Sequence, residues 1–407
     1  MSTQVSAPGK GGIWRQSRTF EPAVRLLFLN QLTINLGFYM LMPYLAAHLS
    51  DGLGMAAWSV GLVLGVRNLS QQGMFLVGGA LADRLGFKPL IVAGCALRTA
   101  GFGALVFAQS LPALIAASAA TGLAGALFNP AVRAYLAAEA GERRVEAFAL
   151  FNTYYQAGIL LGPLVGVALT GVSFRLTCGV AAVLFAVLTL VQLRHLPVRA
   201  KAVEAVGSAE SVQERGQFRT VLTNRTFWLF SLAMTGSYVL SFQVYLALPL
   251  AADSTAATTA LFVVSALVAL AGQLRITAWC KRRLSRERCL VLGLALMGAA
   301  FLLPVAVPGI VGLLLCSAAL AVANAVLYPY EMDTVVALSG GRWVATHYGL
   351  YNTVCGIGIT LGNLGTGALL DVTGWSATPW LVLCGVGLVC AGAVRVLGRG
   401  GRLSAGT

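Results

Sequence analysis

The segment Leu150–Leu169, LFNTYYQAGILLGPLVGVAL, returns two hundred positions later at Leu350–Leu369 as LYNTVCGIGITLGNLGTGAL. Leu150, Asn152, Thr153, Gly158, Leu161, Gly162 and Leu169 recur as Leu350, Asn352, Thr353, Gly358, Leu361, Gly362 and Leu369. A repeat this long in so apolar a chain means two copies of one membrane unit. Two parallel halves of that size are a pattern of transporters.

The surrounding composition supports a membrane unit. Of 407 residues, 58% are hydrophobic and 10% charged, where a soluble domain carries roughly a quarter charged. About 20 apolar residues cross the hydrocarbon core as a helix. Twelve such runs fall near 22–47, 59–82, 88–110, 112–136, 145–171, 174–195, 224–249, 258–280, 287–308, 309–337, 344–370 and 377–398. The predicted organisation is all-α: a tail (1–21), a six-helix half (22–195), a hydrophilic linker (196–223), a second six-helix half (224–398) and a short tail (399–407). The first twenty residues lack the apolar core and small-residue cleavage site of a secretory signal.

A net charge of +14 would suggest nucleic acid in a soluble protein. Here its distribution reports topology. With the N-terminus inside, alternate loops hold Arg84 and Lys88, Arg143 and Arg144, Arg194 to Arg225, Lys281 to Arg288, Arg342, and Arg395 to Arg402. The opposite loops offer only Arg175. This is the positive-inside pattern with both termini cytoplasmic, and no nucleic-acid partner is expected. The eight cysteines form no CxxC pair, and His48, His195 and His347 are far apart in sequence. No metal site follows. No Walker loop or nucleophile elbow appears, so neither a cofactor nor an enzymatic activity is expected.

Gly79-Ala80-Leu81-Ala82-Asp83-Arg84-Leu85-Gly86-Phe87-Lys88 resembles the signature between helices 2 and 3 of the major facilitator superfamily. Its glycines suit close packing and a tight turn, and Asp83 can meet the positive end of a neighbouring helix. Phe87 departs from the basic residue usual there. Gly158, Gly162, Pro163 and Gly166 resemble the fifth-helix motif of antiporters in that superfamily, with Val167 in place of a second glycine. Leu36-Gly37-x5-Pro43 resembles a first-helix motif of its twelve-helix drug exporters. The runs 64–102 and 123–134 are similar to the MdtH multidrug-resistance family of bacteria. The resemblance implies drug:proton antiport by a multi-pass protein of the bacterial inner membrane, working as a monomer. The fourth-helix arginine associated with proton coupling in many exporters would fall near Ser118, so the proton must travel elsewhere.

Acids are scarce enough for elimination to work. Of fourteen Asp and Glu residues, only Glu331 and Asp333 lie inside an apolar run, and an ionisable residue in a bilayer is a functional candidate by default. Either they carry protons, with Arg133 as their partner, or Arg133 and Asp333 form a structural pair bracing the halves. Arg67 and Arg98 lie nearer mid-run with no acid left to pair; they either orient helices through backbone carbonyls or make a cavity attractive to anions. Gln31, Asn35 and Tyr39 share a face of the first run, and Thr235, Tyr238, Phe242 and Tyr245 recur at helical spacing in the seventh. In the resembled fold both runs line the cavity, which assigns these residues to substrate. The expected function is export of small amphipathic, drug-like compounds in exchange for protons. The alternative is dedicated export of one self-made metabolite, such as a siderophore or antibiotic.

Overall fold

The computed structural model describes residues 13–197 and 219–399, except 42, 43, 46, 47, 56, 253, 254, 374 and 375. Residues 1–12 and 400–407 of the tails, most of the linker and Pro43 lie outside the described residues. The principal helices are α1 (Pro22–Tyr39), α2 (Ala57–Gly73, continued after Met74 by Phe75–Leu85), α3 (Phe87–Phe107), α4 (Leu111–Ala140), α5 (Arg144–Thr170), α6 (Phe174–His195), α7 (Arg225–Phe242), α8 (Thr255–Arg283), α9 (Arg286–Ala300), α10 (Ile310–Leu338), α11 (Val344–Thr373) and α12 (Ala377–Arg399).

Local chemistry marks the boundaries. Ser173, Asn224 and Ser285 cap α6, α7 and α9, each accepting from a backbone N–H three residues on at 3.0, 3.0 and 3.3 Å. Gly86 (φ 95°) separates α2 from α3 and Gly141 (φ 52°) separates α4 from α5; both sit where a Cβ would be strained. Nine stretches among the described residues are long and apolar enough to cross a membrane. One of them, Leu111–Thr170, is 60 residues long and is broken at the 3-10 turn Gly141–Arg143. The helices α1 and α2 fall outside the nine. Asn30, Gln31 and Asn35 dilute the hydropathy of α1, and the break at Met74 divides α2 into pieces of 17 and 11 residues, each too short to span alone. On α6, Val183, Val187 and Leu190 point outward, an apolar stripe that suits lipid.

The two halves share one packing plan. In the first, α1 packs on α5, α3 on both α4 and α6, and α2 on α4; in the second, α7 packs on α11, α9 on both α10 and α12, and α8 on α10. The halves meet along α2–α11 and α5–α8, with α5 also against α10 and α4 against α11. The repeat explains the tightest seams. A Cβ at Gly158 would stand 2.7 Å from Asn35 Cβ, and one at Gly162 would stand 2.6 Å from Tyr39 Cβ. Their twins Gly358 and Gly362 press on Thr235 and Val239. Those partners are again two hundred residues apart. Glycine at these positions lets α5 and α11 lie close on α1 and α7.

Candidate functional site: a two-lobed central cavity

Between the halves lie two lobes of about 270 and 190 Å³ that share Arg133, Tyr155, Tyr238 and Phe242 in their walls. The first lobe is built on α1, α2 and α3 and brings together Gln31, Asn35, Tyr39, Arg67 and Arg98. The second faces α7, α8 and α10 and includes Tyr245 and Glu331. Thr235 lines neither lobe. Its hydroxyl donates to Ser231 O at 2.9 Å and its methyl faces Gly358, so its place is in the α7–α11 seam. Its assignment to substrate is corrected accordingly.

The two acids on α10 part company. Glu331 is 2% exposed, lines the cavity and makes no ion pair among the described residues; the Tyr351 hydroxyl donates to its Oε1. Asp333 is also buried but lines neither lobe. It accepts from Arg144 Nε at 2.8 Å and pairs with Arg286 Nη2 at 2.7 Å. The Arg133–Asp333 pair, one of the two readings of the sequence, is therefore corrected. Arg133 instead donates to Asn352 Oδ1 at 3.3 Å from the waist shared by both lobes. Two residues of separation on a helix turn side chains through more than half a circle, which is why neighbouring acids reach such different surroundings.

Arg67 donates to Asn68 Oδ1 at 2.8 Å and Gln71 Oε1 at 3.0 Å, with its guanidinium 4.3 Å from the Phe38 ring centroid. Arg98 lies 5.6 Å from that of Phe185. Neither has a carboxylate partner among the described ion pairs.

Away from the cavity, Arg143, Arg144, Lys281 and Arg286 meet at one end of the bundle, the basic end. There the gating residues form a junction. Gly79 lets α2 lie against Ala345 at the start of α11, where a Cβ would strike a carbonyl. Asp83 then accepts from Ala345 N at 3.1 Å, Thr346 N at 2.6 Å and Thr346 Oγ1 at 2.6 Å. These are orphan donors of a helix N-terminus, capped by a carboxylate from the other half. Burial nevertheless raises the Asp83 carboxyl to about 6, against the pull of these bonds. Leu81, Arg84 and Gly86 complete the α2 end and turn, and Lys88 Nζ donates to Leu193 O at 2.9 Å near the C-terminus of α6. Phe87 packs edge-on to Tyr135, with centroids 6.2 Å apart. In the antiporter-like stretch, Gly166 packs on Met40 and Tyr44, while Pro163 O accepts from the Tyr44 hydroxyl at 3.0 Å.

Several cavity residues escaped sequence reasoning. Asn352 belongs to the repeat, and that recurrence of a polar residue in an apolar run was a usable signal. Tyr155, Phe38 and Gln71 had none beyond their helices, because their role depends on helix rotation.

The sequence profile of the Major Facilitator Superfamily matches residues 27–282. The chain is 52% identical over 396 residues to the uncharacterized MFS-type transporter Rv0849 of Mycobacterium tuberculosis, covering 94% of this chain and 93% of that one. It is 31% identical over 373 residues to the multidrug resistance protein MdtH of Klebsiella pneumoniae, covering 89% and 91%. Among solved structures, the human organic anion transporter MFSD10 superposes with a TM-score of 0.72 at 18% identity, over 93% of this chain and 99% of that one. The Escherichia coli fucose:proton symporter FucP gives 0.74 at 13%, over 92% and 97%. At such identities the structures speak for the fold alone.

Proposed function

The chain belongs to the major facilitator superfamily, and so is a multi-pass membrane transporter and not an enzyme; from that premise we propose that it exports small amphipathic, drug-like compounds in exchange for protons. All twelve principal helices cross the bilayer in this reading, the 60-residue stretch counting twice and α1 and α2 spanning despite the polar residues of one and the break in the other. The basic end is cytoplasmic by the positive-inside rule, placing both termini and the linker in the cytoplasm of a bacterium whose inner membrane holds the protein as a monomer. The two halves rock about the central cavity. In this reading, the Asp83 and Asp333 contacts hold the basic end closed.

One observation carries the coupling: Glu331 is buried and lines the cavity, and among the described residues no arginine or lysine forms an ion pair with it. A neutral carboxyl costs less than a charged one in hydrocarbon. Glu331 therefore takes a proton from the periplasm, carries it through the rocking step and gives it up when the cavity opens to the cytoplasm. Arg133, at the waist, senses the change of charge. Asp333 belongs to the gate in this assignment and not to the proton path. The relationship to MdtH supports the substrate class, since that protein is a multidrug resistance protein.

The test is Glu331→Gln in proteoliposomes. The variant should still exchange substrate down its own gradient and should fail to accumulate it when a pH gradient is imposed. Uphill, proton-driven transport by the Gln variant would refute the assignment. Asp333→Asn is the comparison: it should retain coupling in those molecules that insert correctly.

A further inference from the structure

We propose that the cavity lobe on α1, α2 and α3 is a binding site for the carboxylate of an amphipathic organic anion, held between Arg67 and Arg98. The proposal rests on the cavity being the substrate path, as read above, and names the chemistry of what enters it.

Three features of this chain carry it. First, among the described residues no acid lines this lobe; Glu331 stands in the other one, beyond Arg133. Second, Arg98 is 5% exposed, and among the described residues its Nε and Nη1 have no hydrogen-bond partner, nor does Nε of Arg67. The partners that do exist are neutral amides and aromatic faces. A guanidinium kept only to orient helices would have its donors met, because buried unpaired charge is costly. Two guanidiniums in one lobe also repel each other, and an anion relieves both penalties at once. Third, Gly125 leaves room beside them. A Cβ there would lie 3.0 Å from Gln71 Cδ and 3.2 Å from Arg98 Nη2, so glycine preserves the space in which Gln71 and Arg98 lie side by side. Next to this cationic floor, Phe38, Tyr39 and Tyr155 offer an aromatic wall. An anionic head on a flat apolar body fits that division.

The experiment is calorimetric titration of the full-length protein, in micelles of neutral detergent and without a pH gradient, with three probes of one shape: 1-naphthoate, 1-naphthamide and (1-naphthylmethyl)trimethylammonium. Charge-assisted hydrogen bonds should make naphthoate at least about tenfold tighter than the amide, with the ammonium weakest. Arg67→Gln and Arg98→Gln should each bring naphthoate down to the level of the amide, while Arg67→Lys and Arg98→Lys keep part of the preference. Equal or tighter binding of the amide or the ammonium to the wild type overturns the proposal. So does absence of naphthoate binding at millimolar concentration, or a preference that survives in both Gln variants. The wild-type ranking needs no variant, so a poorly folded Arg98→Gln protein leaves the first criterion intact. Displacement of naphthoate by phosphatidylglycerol at equal stoichiometry would show that the arginines hold a lipid head group, and would also overturn it. The titration imposes no pH gradient, whereas coupling is read only in proteoliposomes under one. Failure of proton coupling and failure of anion recognition are thus read in separate measurements.

Discussion

Arg144→Gln cuts the short ion pair that ties α5 of the first half to α10 of the second, and its effect can be sized. Removing one partner of a fully buried pair costs about 3–5 kcal/mol. Here the Arg144 side chain is 31% exposed against 6% for Asp333, and Asp333 keeps Arg286 at 2.7 Å. Partial hydration and the surviving partner reduce the loss to about 1–2 kcal/mol. That shifts the ratio of closed to open basic end by about 5- to 30-fold. Cys355 reports it, because this buried thiol lines the cavity. A membrane-impermeant maleimide added at the basic side should label Cys355 faster by that factor, with peptide-level mass spectrometry as the readout. Cys178, buried in α6, should stay unlabelled if the variant is folded. Arg286→Gln breaks a bond inside the second half and should change the rate less than about twofold. In an Asp333→Asn background, Arg144→Gln should add little, since the pair is already gone. An unchanged Cys355 rate in Arg144→Gln, or an equal rise in Arg286→Gln, would refute the reasoning.

The Asp83 junction should respond to pH. Its carboxyl sits at about 6 when the basic end is closed and near 4 when hydrated, so closure takes up a proton and gains stability as pH falls through about 6; Cys355 labelling from the basic side should slow toward pH 5 relative to Asp83→Asn, which cannot show the effect. Asp83→Asn should also lower transport per correctly inserted molecule. Gly162→Ala places a Cβ 2.6 Å from Tyr39 Cβ and 3.0 Å from its carbonyl carbon and should cost about 1–3 kcal/mol, seen as a lower Tm. Gly362→Ala meets the side chain of Val239, which can turn aside, and should cost less. Reporter fusions within 196–223 should read out in the cytoplasm; a periplasmic signal would reverse the orientation and the direction of transport with it.

The helices were legible because lipid leaves the backbone no partner but itself, so apolar run length becomes helix length almost directly. Glycine spacing was legible for a similar reason: Gly158 and Gly162 recur as Gly358 and Gly362 because both halves need the same close approach. Rotation was not. Thr235 shares helical spacing with Tyr238, yet it faces α11 while Tyr238 faces the cavity, since a periodicity of aromatic and polar residues cannot say which side meets a helix and which meets space. The pairing of Arg133 with Asp333 failed on geometry. Equivalent positions in two copies face each other only near the symmetry axis, and Asp333 lies instead within reach of Arg144 and Arg286, at the starts of α5 and α9. In the sequence those arginines count as topology markers in loops, which conceals their reach into the protein.

Two of the joints between the duplicated halves at the basic end are unlike. Two hundred residues on from Asp83 stands Arg283, so the second half has no matching carboxylate to offer the start of α5; Arg144 there meets Asp333 instead. One joint is a sheltered cap of hydrogen bonds on peptide N–H groups, and the other is an ion pair whose arginine reaches water. Dissolved salt screens exposed charges over about 8–10 Å and leaves buried ones nearly untouched. Raising ionic strength on the basic side therefore loosens the α5–α10 joint and spares the α2–α11 joint. The door should swing from one edge first, and the ionic strength of the compartment it faces sets how readily.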